Sequence, residues 1–83
     1  MSNAILREAV LERANLGGAN LRKADLRFAF LRGASLNDVQ AEGANFQGAD
    51  LREISQVVIL ALMAQPGTDF TGVQWDRPAE ETP

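Results

Sequence analysis

The carboxylates and arginines are the groups in this chain best equipped for chemistry, because it has neither histidine nor cysteine. That composition removes imidazole as general base and metal ligand, and thiolate as nucleophile. Carboxylates can still exchange a proton as acid and base, or share a hard cation, when several converge in a cleft. Asp25 and Asp50 do not suggest such convergence. They fall at equivalent places in a short repeat and face outward from different corners, as on a solvated surface. No Asp/Asn-rich loop has calcium-ligand spacing, and the glycines recur with the repeat instead of forming a phosphate loop. The expectation is a chain that is not an enzyme, with no catalytic, cofactor-binding or metal residues, no cofactor and no small-molecule ligand.

The repeat that positions these groups has a period of five. Leu6, Leu11, Leu16, Leu21, Leu26, Leu31, Leu36, Phe46 and Leu51 recur at every fifth place, with Ala41 as the one lapse. An alanine precedes almost every one by two residues, from Ala4 to Ala49, Val39 being the exception. On an α-helix a step of five rotates by roughly 140°, which would scatter the leucines around the cylinder. On a flat strand an odd step would send alternate leucines to opposite faces. The period suits a chain that turns a corner in every repeat and aims each large residue at one axis.

Alanine and leucine, two apart, point the same way on a short extended piece. The other positions must turn and face water. Asn15, Asn20, Asp25, Asn45 and Asp50 lie between alanine and leucine, and Gly17, Gly18, Gly33, Gly43 and Gly48 follow it. Four corners close a square, so residue n should lie beside n+20, with coils about 4.8 Å apart. The inner columns are then Leu6/Leu26/Phe46, Leu11/Leu31/Leu51, Leu16/Leu36 and Leu21/Ala41. The small Ala41 should leave space unless Phe46 or Val39 leans into it.

Units such as Ala14-Asn15-Leu16-Gly17-Gly18, Ala24-Asp25-Leu26-Arg27-Phe28 and Ala49-Asp50-Leu51-Arg52-Glu53 resemble the A(D/N)LXX pattern of the pentapeptide repeat family. The resemblance runs through ten units over residues 4–53. It implies an all-β fold, a right-handed quadrilateral β-helix of about three coils. It also implies leucine or phenylalanine inside, alanine at the inner corners, and an origin in bacteria, where the family is widespread.

The phase breaks after Ile54, and Val57 to Ala64 follows without turn residues. With Ser55 as N-cap and Pro66-Gly67 as a stop, residues 56–65 read as a short helix. A buried strand is the alternative, since Val57, Val58 and Ile59 are β-branched. Residues 54–67 thus form an apolar cap or insertion. Residues 68–77 read as two more units, making twelve units and three coils, and 78–83 as a tail.

Stacking by twenty also maps the surface. Glu12/Arg32, Arg22/Glu42 and Arg13/Gly33/Glu53 bring opposite charges together. Arg7/Arg27 and Arg32/Arg52 stack like charges, which asks for solvent or a partner between them. Val10 and Phe30 share an outward column, with Phe28 at the same corner and Ile5 also outward. Two readings compete: an interaction patch centred on Val10, Phe28 and Phe30, or a surface covered by segment 57–63 or by the end bearing Trp75. Val57, Val58, Leu60, Leu62, Met63 and Trp75 are likewise either a cap over the open coil end or a dimer interface.

These features favour a structural scaffold for protein–protein interaction, whose partner is another protein or a second copy. One alternative is a C-terminally dimerising repeat domain of a larger assembly. Another comes from the family, some of whose members mimic DNA and modulate DNA gyrase or topoisomerase. Residues 1–53 balance seven basic against seven acidic groups, unlike DNA with about one charge per 1.7 Å. The same balance leaves no basic stripe, so direct nucleic-acid binding is not expected. The longest apolar run is far short of the roughly 20 residues of a membrane span. With no signal peptide visible, a cytoplasmic location is expected.

Overall fold

Each pentad becomes a corner through a hydrogen-bonded turn. The computed structural model describes residues 3–76, and the expectations for Arg77 and the 78–83 tail lie outside the described residues. The carbonyl of most large residues accepts from the N–H three positions on, as in Ala9 to Leu6 and Ala29 to Leu26, both 3.1 Å. The third residue of the turn is left-handed: Glu8, Arg13, Lys23, Phe28, Asp38 and Glu53 have φ between 59° and 62°. A β-turn with a left-handed third residue requires this. A residue with a side chain costs about 1–2 kcal/mol there, and glycine takes the same place at 18, 33, 43 and 48.

The short polar residue ahead of each leucine tightens the turn from outside. Asn15 Oδ1 accepts the Gly17 N–H at 3.1 Å, and Asn20 accepts that of Arg22 at 3.2 Å. Asn45 accepts from Gln47 at 3.0 Å and Asp69 from Thr71 at 2.9 Å. Only a side chain this short, carrying an acceptor, reaches the amide two residues on.

The coils stack in parallel with the expected register. Ile5 pairs with Asp25, Val10 with Phe30, Asn15 with Ser35 and Asn20 with Gln40, and the next coil repeats the pattern from Asp25 with Asn45. Each pairing is a single residue long, because a corner every five residues leaves room for no more. The fold is therefore β-helix-like without continuous strands. Its ladder is nonetheless regular: the Leu26 N–H donates to Asn45 at 2.7 Å, and the Asn45 N–H to Ala24 at 2.9 Å.

Leu21, Leu26, Leu31, Leu36, Phe46 and Leu51 fill the axis at 0–2% exposure. Leu6, Leu11 and Leu16, expected in the same core, are only half-buried. They belong to the first described coil, and a neighbour covers them on one side only.

The apolar segment forms α1, Gln56–Met63, two residues shorter than the predicted 56–65. Ser55 stands at its N-cap but makes no side-chain capping bond. The helix replaces two units of the third coil. The chain then rejoins the stack with Asn45 paired to Asp69 and Asp50 to Gln74. That register is 24 rather than twenty, so residues 68–76 open a fourth coil and do not complete a third. The Phe70 ring stacks on Phe46 with centroids 4.8 Å apart and planes 6° from parallel, which extends the first inner column.

Gln65 repairs the ladder where the helix interrupts it. One coil earlier, Gln40 receives the Leu21 N–H at 2.7 Å and donates to Ala19 at 3.0 Å. Among the described residues no main-chain group takes that role below Val39 and Ala41. Instead the Gln65 carboxamide accepts the Ala41 N–H at 2.7 Å and donates from Nε2 to the Val39 carbonyl at 2.9 Å. A side-chain amide stands in for a peptide group. Ala41 is fully buried, with Val39 at 5% exposure in the same core. Gly67, at φ 77°, rejoins the stack where a Cβ would come within 3.2 Å of the Gly43 Cα. Among the described residues no helix is long and apolar enough to cross a membrane.

Candidate interaction surface

Two Asp-Leu-Arg triplets carry the most organised charges. Arg27 grips Asp25 with Nε at 2.9 Å from Oδ1 and Nη2 at 2.8 Å from Oδ2, while its own N–H donates to Oδ1 at 3.2 Å. Arg7, one coil earlier, adds a contact at 3.2 Å. Arg52 holds Asp50 in the same way, at 2.9 and 2.7 Å. Asp50 was expected on a solvated surface, but it is 7% exposed. It pairs with Phe30 on one side and Gln74 on the other, so coils above and below enclose it.

These pairs also resolve the stacked arginines. Neither solvent nor a partner separates Arg7 from Arg27, because Asp25 sits between them. Arg32 turns to Glu53, with Nε 2.7 Å from Oε2, and among the described residues it forms no ion pair with Glu12. Arg22 meets Glu42 at 2.9 Å as expected. Arg13 reaches Glu53 at 3.7 Å, two coils away, by passing over Gly33, where an added Cβ would lie 3.3 Å from its Cγ.

The arginine contacts set the acid behaviour. The Arg27 hydrogen bonds are the main cause that lowers the Asp25 carboxyl from its ordinary 3.8 to about 2, with Arg7 contributing at longer range. Asp50 is lowered first by its hydrogen bonds from Arg52, against the opposing effect of burial. A carboxyl depressed on folding stabilises the fold above its unfolded pKa, and that contribution fades as pH falls toward the folded value. The urea midpoint should therefore be flat above about pH 5 and decline between about pH 4 and 2. Asp25→Asn keeps the acceptor for the Arg27 N–H, as Asn20 shows at its own turn, and should flatten part of that decline. A midpoint that is constant down to pH 2.5 would contradict this account of the triplets.

Four of the exposed large apolar residues, Ile5, Val10, Phe28 and Phe30, gather around one corner. Val10 and Phe30 are bridged neighbours on one side of the rod, and Ile5 lies on the adjoining side beside Asp25. Phe28 occupies the corner between them. Val10 is 73% exposed, Phe28 53% and Phe30 44%. The Phe28 ring rests on the next coil at Gly48, where a Cβ would come within 2.4 Å of it. The alternative expectation, a cover supplied by segment 57–63 or Trp75, does not hold among the described residues. α1 stands in for the units that would continue the Asn15/Ser35 and Asn20/Gln40 columns, on the other sides of the coil. Trp75 packs against the core.

α1 divides the candidate cap residues. Ile59 and Leu62 are buried, at 0% and 2%, and Val58 and Met63 pack half-buried on the core. Val57 and Leu60 face outward at 77% and 54%. The segment thus covers the coil with one face and leaves the other free. Sequence reasoning missed Gln65 altogether, because its place in the inner column follows only from the register of 24.

A family model described as pentapeptide repeats matches residues 1–27 and 19–54 as eight copies. The chain belongs to the pentapeptide repeat family. Among solved structures similar to this pentapeptide repeat protein is the crystal structure of a pentapeptide repeat protein, Rfr23, from the cyanobacterium Cyanothece 51142. The two are 31% identical with a TM-score of 0.65, over 93% of the present chain. The match spans 46% of the Rfr23 chain, so this pentapeptide repeat protein corresponds to about half of that relative's length. No curated protein sequence matches it. The family match ends at residue 54, where α1 breaks the five-residue phase, although the coil stack continues to Gln74.

Proposed function

We propose that this chain is a non-catalytic scaffold, a right-handed four-sided β-helix that docks another protein at the corner formed by Ile5, Val10, Phe28 and Phe30. The observation that carries the reading is the solvent exposure of these four apolar side chains around one corner, with Ile5 and Val10 each at 73%. Membership of a family that is generally non-catalytic supports the first half of the reading. Phenylalanine and arginine are enriched at protein interfaces, and Arg7 and Arg27 flank this apolar corner, each paired with Asp25.

DNA mimicry toward gyrase or topoisomerase finds less support. Acidic groups on the repeat surface are met by arginines in Arg7–Asp25, Arg22–Glu42, Arg27–Asp25 and Arg52–Asp50. A DNA-like surface needs unpaired negative charge at close spacing.

The test compares the wild-type chain with a Val10→Ser/Phe30→Ser double variant as bait in the same bacterial lysate. Both changes are at exposed positions, so the melting temperature should move little. A partner retained by the wild type should fall at least about tenfold with the variant, the loss of roughly 1.4 kcal/mol or more expected when an interface anchor is truncated. Identical sets of captured proteins would reject the corner as a docking site.

A further inference from the structure

The outward face of α1 is apolar and open to solvent. Ile59 and Leu62 anchor the inner face, and the exposed residues are Val57, Leu60, Ala61 and Ala64. Their spacing of three, four and seven places them in one stripe along the helix. No residue from Gln56 to Gln65 is charged, so the stripe offers an unrelated partner no electrostatic handle. Its sizes run large, large, small, small along the chain.

That order is self-complementary under a twofold axis. If two helices cross antiparallel with the axis between positions 60 and 61, Val57 faces Ala64 of the second copy and Leu60 faces its Ala61. Every large side chain then meets a small one. Closely approaching helices need this, since the interaxial distance of 8–10 Å depends on the side chains at the contact. A twofold contact uses the same patch on both copies. Parallel helices in register would instead set Val57 against Val57 and Ala64 against Ala64, holding the axes apart at one end and leaving a gap at the other.

We propose that this stripe is a homodimer contact, formed by two α1 helices packed antiparallel about residues 60 and 61. It is separate from the Ile5–Phe30 corner, so either surface can fail without the other. Four short side chains per copy fall well below the roughly 1,200 Å² of a standard interface. The dimer is therefore weak, with a dissociation constant on the order of 0.1 mM.

The absence of cysteine makes the geometry directly testable with single-cysteine chains. Val57→Cys and Ala64→Cys, prepared separately and mixed under mild oxidation at about 0.5 mM, should give the 57–64 disulfide. In the antiparallel pair, two residues numbered 57 lie about 10 Å apart along the axis, beyond the 7 Å Cα separation that a disulfide tolerates. Mixed products should therefore exceed either same-site product by about tenfold. Sedimentation equilibrium of the unaltered chain should give a mass that rises with concentration, and Ala61→Glu, at an exposed site, should hold it at the monomer value with an unchanged melting curve.

Three results would overturn the proposal. The first is a monomer mass persisting to about 1 mM. The second is same-site cross-links forming as readily as mixed ones. The third is a dimer that survives Ala61→Glu.

Discussion

Leu26→Asp leaves no folded population at 25 °C. Leu26 is fully buried on the axis, in the inner column with Leu6 above and Phe46 below. A carboxylate there has no described partner and no water. Burying an unpaired charge costs several kcal/mol even after relaxation, and removing the leucine forfeits about 2–5 kcal/mol more. The sum, on the order of 5–10 kcal/mol, matches the whole stability of about 4–12 kcal/mol expected for a chain of 83 residues. Leu6→Asp is the control at the same place in the repeat. Leu6 is half-buried in the first described coil, so its carboxylate can reach solvent, and that chain should remain folded with a lowered melting point. Circular dichroism melts of both variants decide the matter. A Leu26→Asp chain that melts within a few degrees of wild type would show that the leucines do not share a common interior.

Gln65→Glu should also be costly, for a different reason. The carboxamide accepts from Ala41 with one atom and donates to Val39 with the other. Glutamate keeps the acceptor, but it aims a charged oxygen at the Val39 carbonyl where a donor stood. Leaving a buried carbonyl unsatisfied and opposing it with charge costs on the order of 2–3 kcal/mol. The sign with pH is the reverse of that for Asp25. A protonated glutamic acid can donate, so the deficit relative to wild type should shrink below about pH 4. Urea titrations of the two chains at pH 7 and pH 3.5 measure this. Equal midpoints at pH 7 would mean that Gln65 does not complete the ladder.

Much of the fold was legible because the repeat ties every unit to the same local physics. The leucine period requires corners, the Asn/Asp places supply an acceptor for the amide two residues on, and the stacking by twenty follows from counting corners. The ion pair Arg22–Glu42 came out of that count. The Asp-Leu-Arg grips did not, although Asp25/Arg27 and Asp50/Arg52 sit two apart in the sequence. Attention to contacts between coils hid contacts within a unit. The burial of Asp50 was equally hidden, because it needs the Arg52 side chain folded over the carboxylate as well as coils on both sides. Leu6, Leu11 and Leu16 show the converse: membership of the apolar column does not bury a residue whose coil has one neighbour.

The candidate site was read more coarsely. Val10, Phe28 and Phe30 stand exposed together because outward columns are set by the same count. What was out of reach is whether α1 would cover them, since that depends on which sides of the coil the helix replaces. The split of α1 into a buried Ile59/Leu62 edge and an open Val57/Leu60 edge could not be seen in a segment apolar throughout. Gln65 was invisible for a related reason: its role exists only after the register of 24 is known.

The detour through α1 carries the backbone past the two sides it replaces and sets it down under Asn45, half a turn after it left the stack at Asp50. Slipping a single pentad into such a solenoid would rotate everything downstream by a quarter revolution and bring different side chains to each flank. A helix that spans the same half turn as the two pentads it replaces leaves the azimuth of every later residue untouched, and Phe70 still lies under Phe46. Architectures of this kind can therefore exchange two pentads for a helix in evolution while the flanks on either side of it keep their alignment. Additions of one, two or three pentads would scramble them.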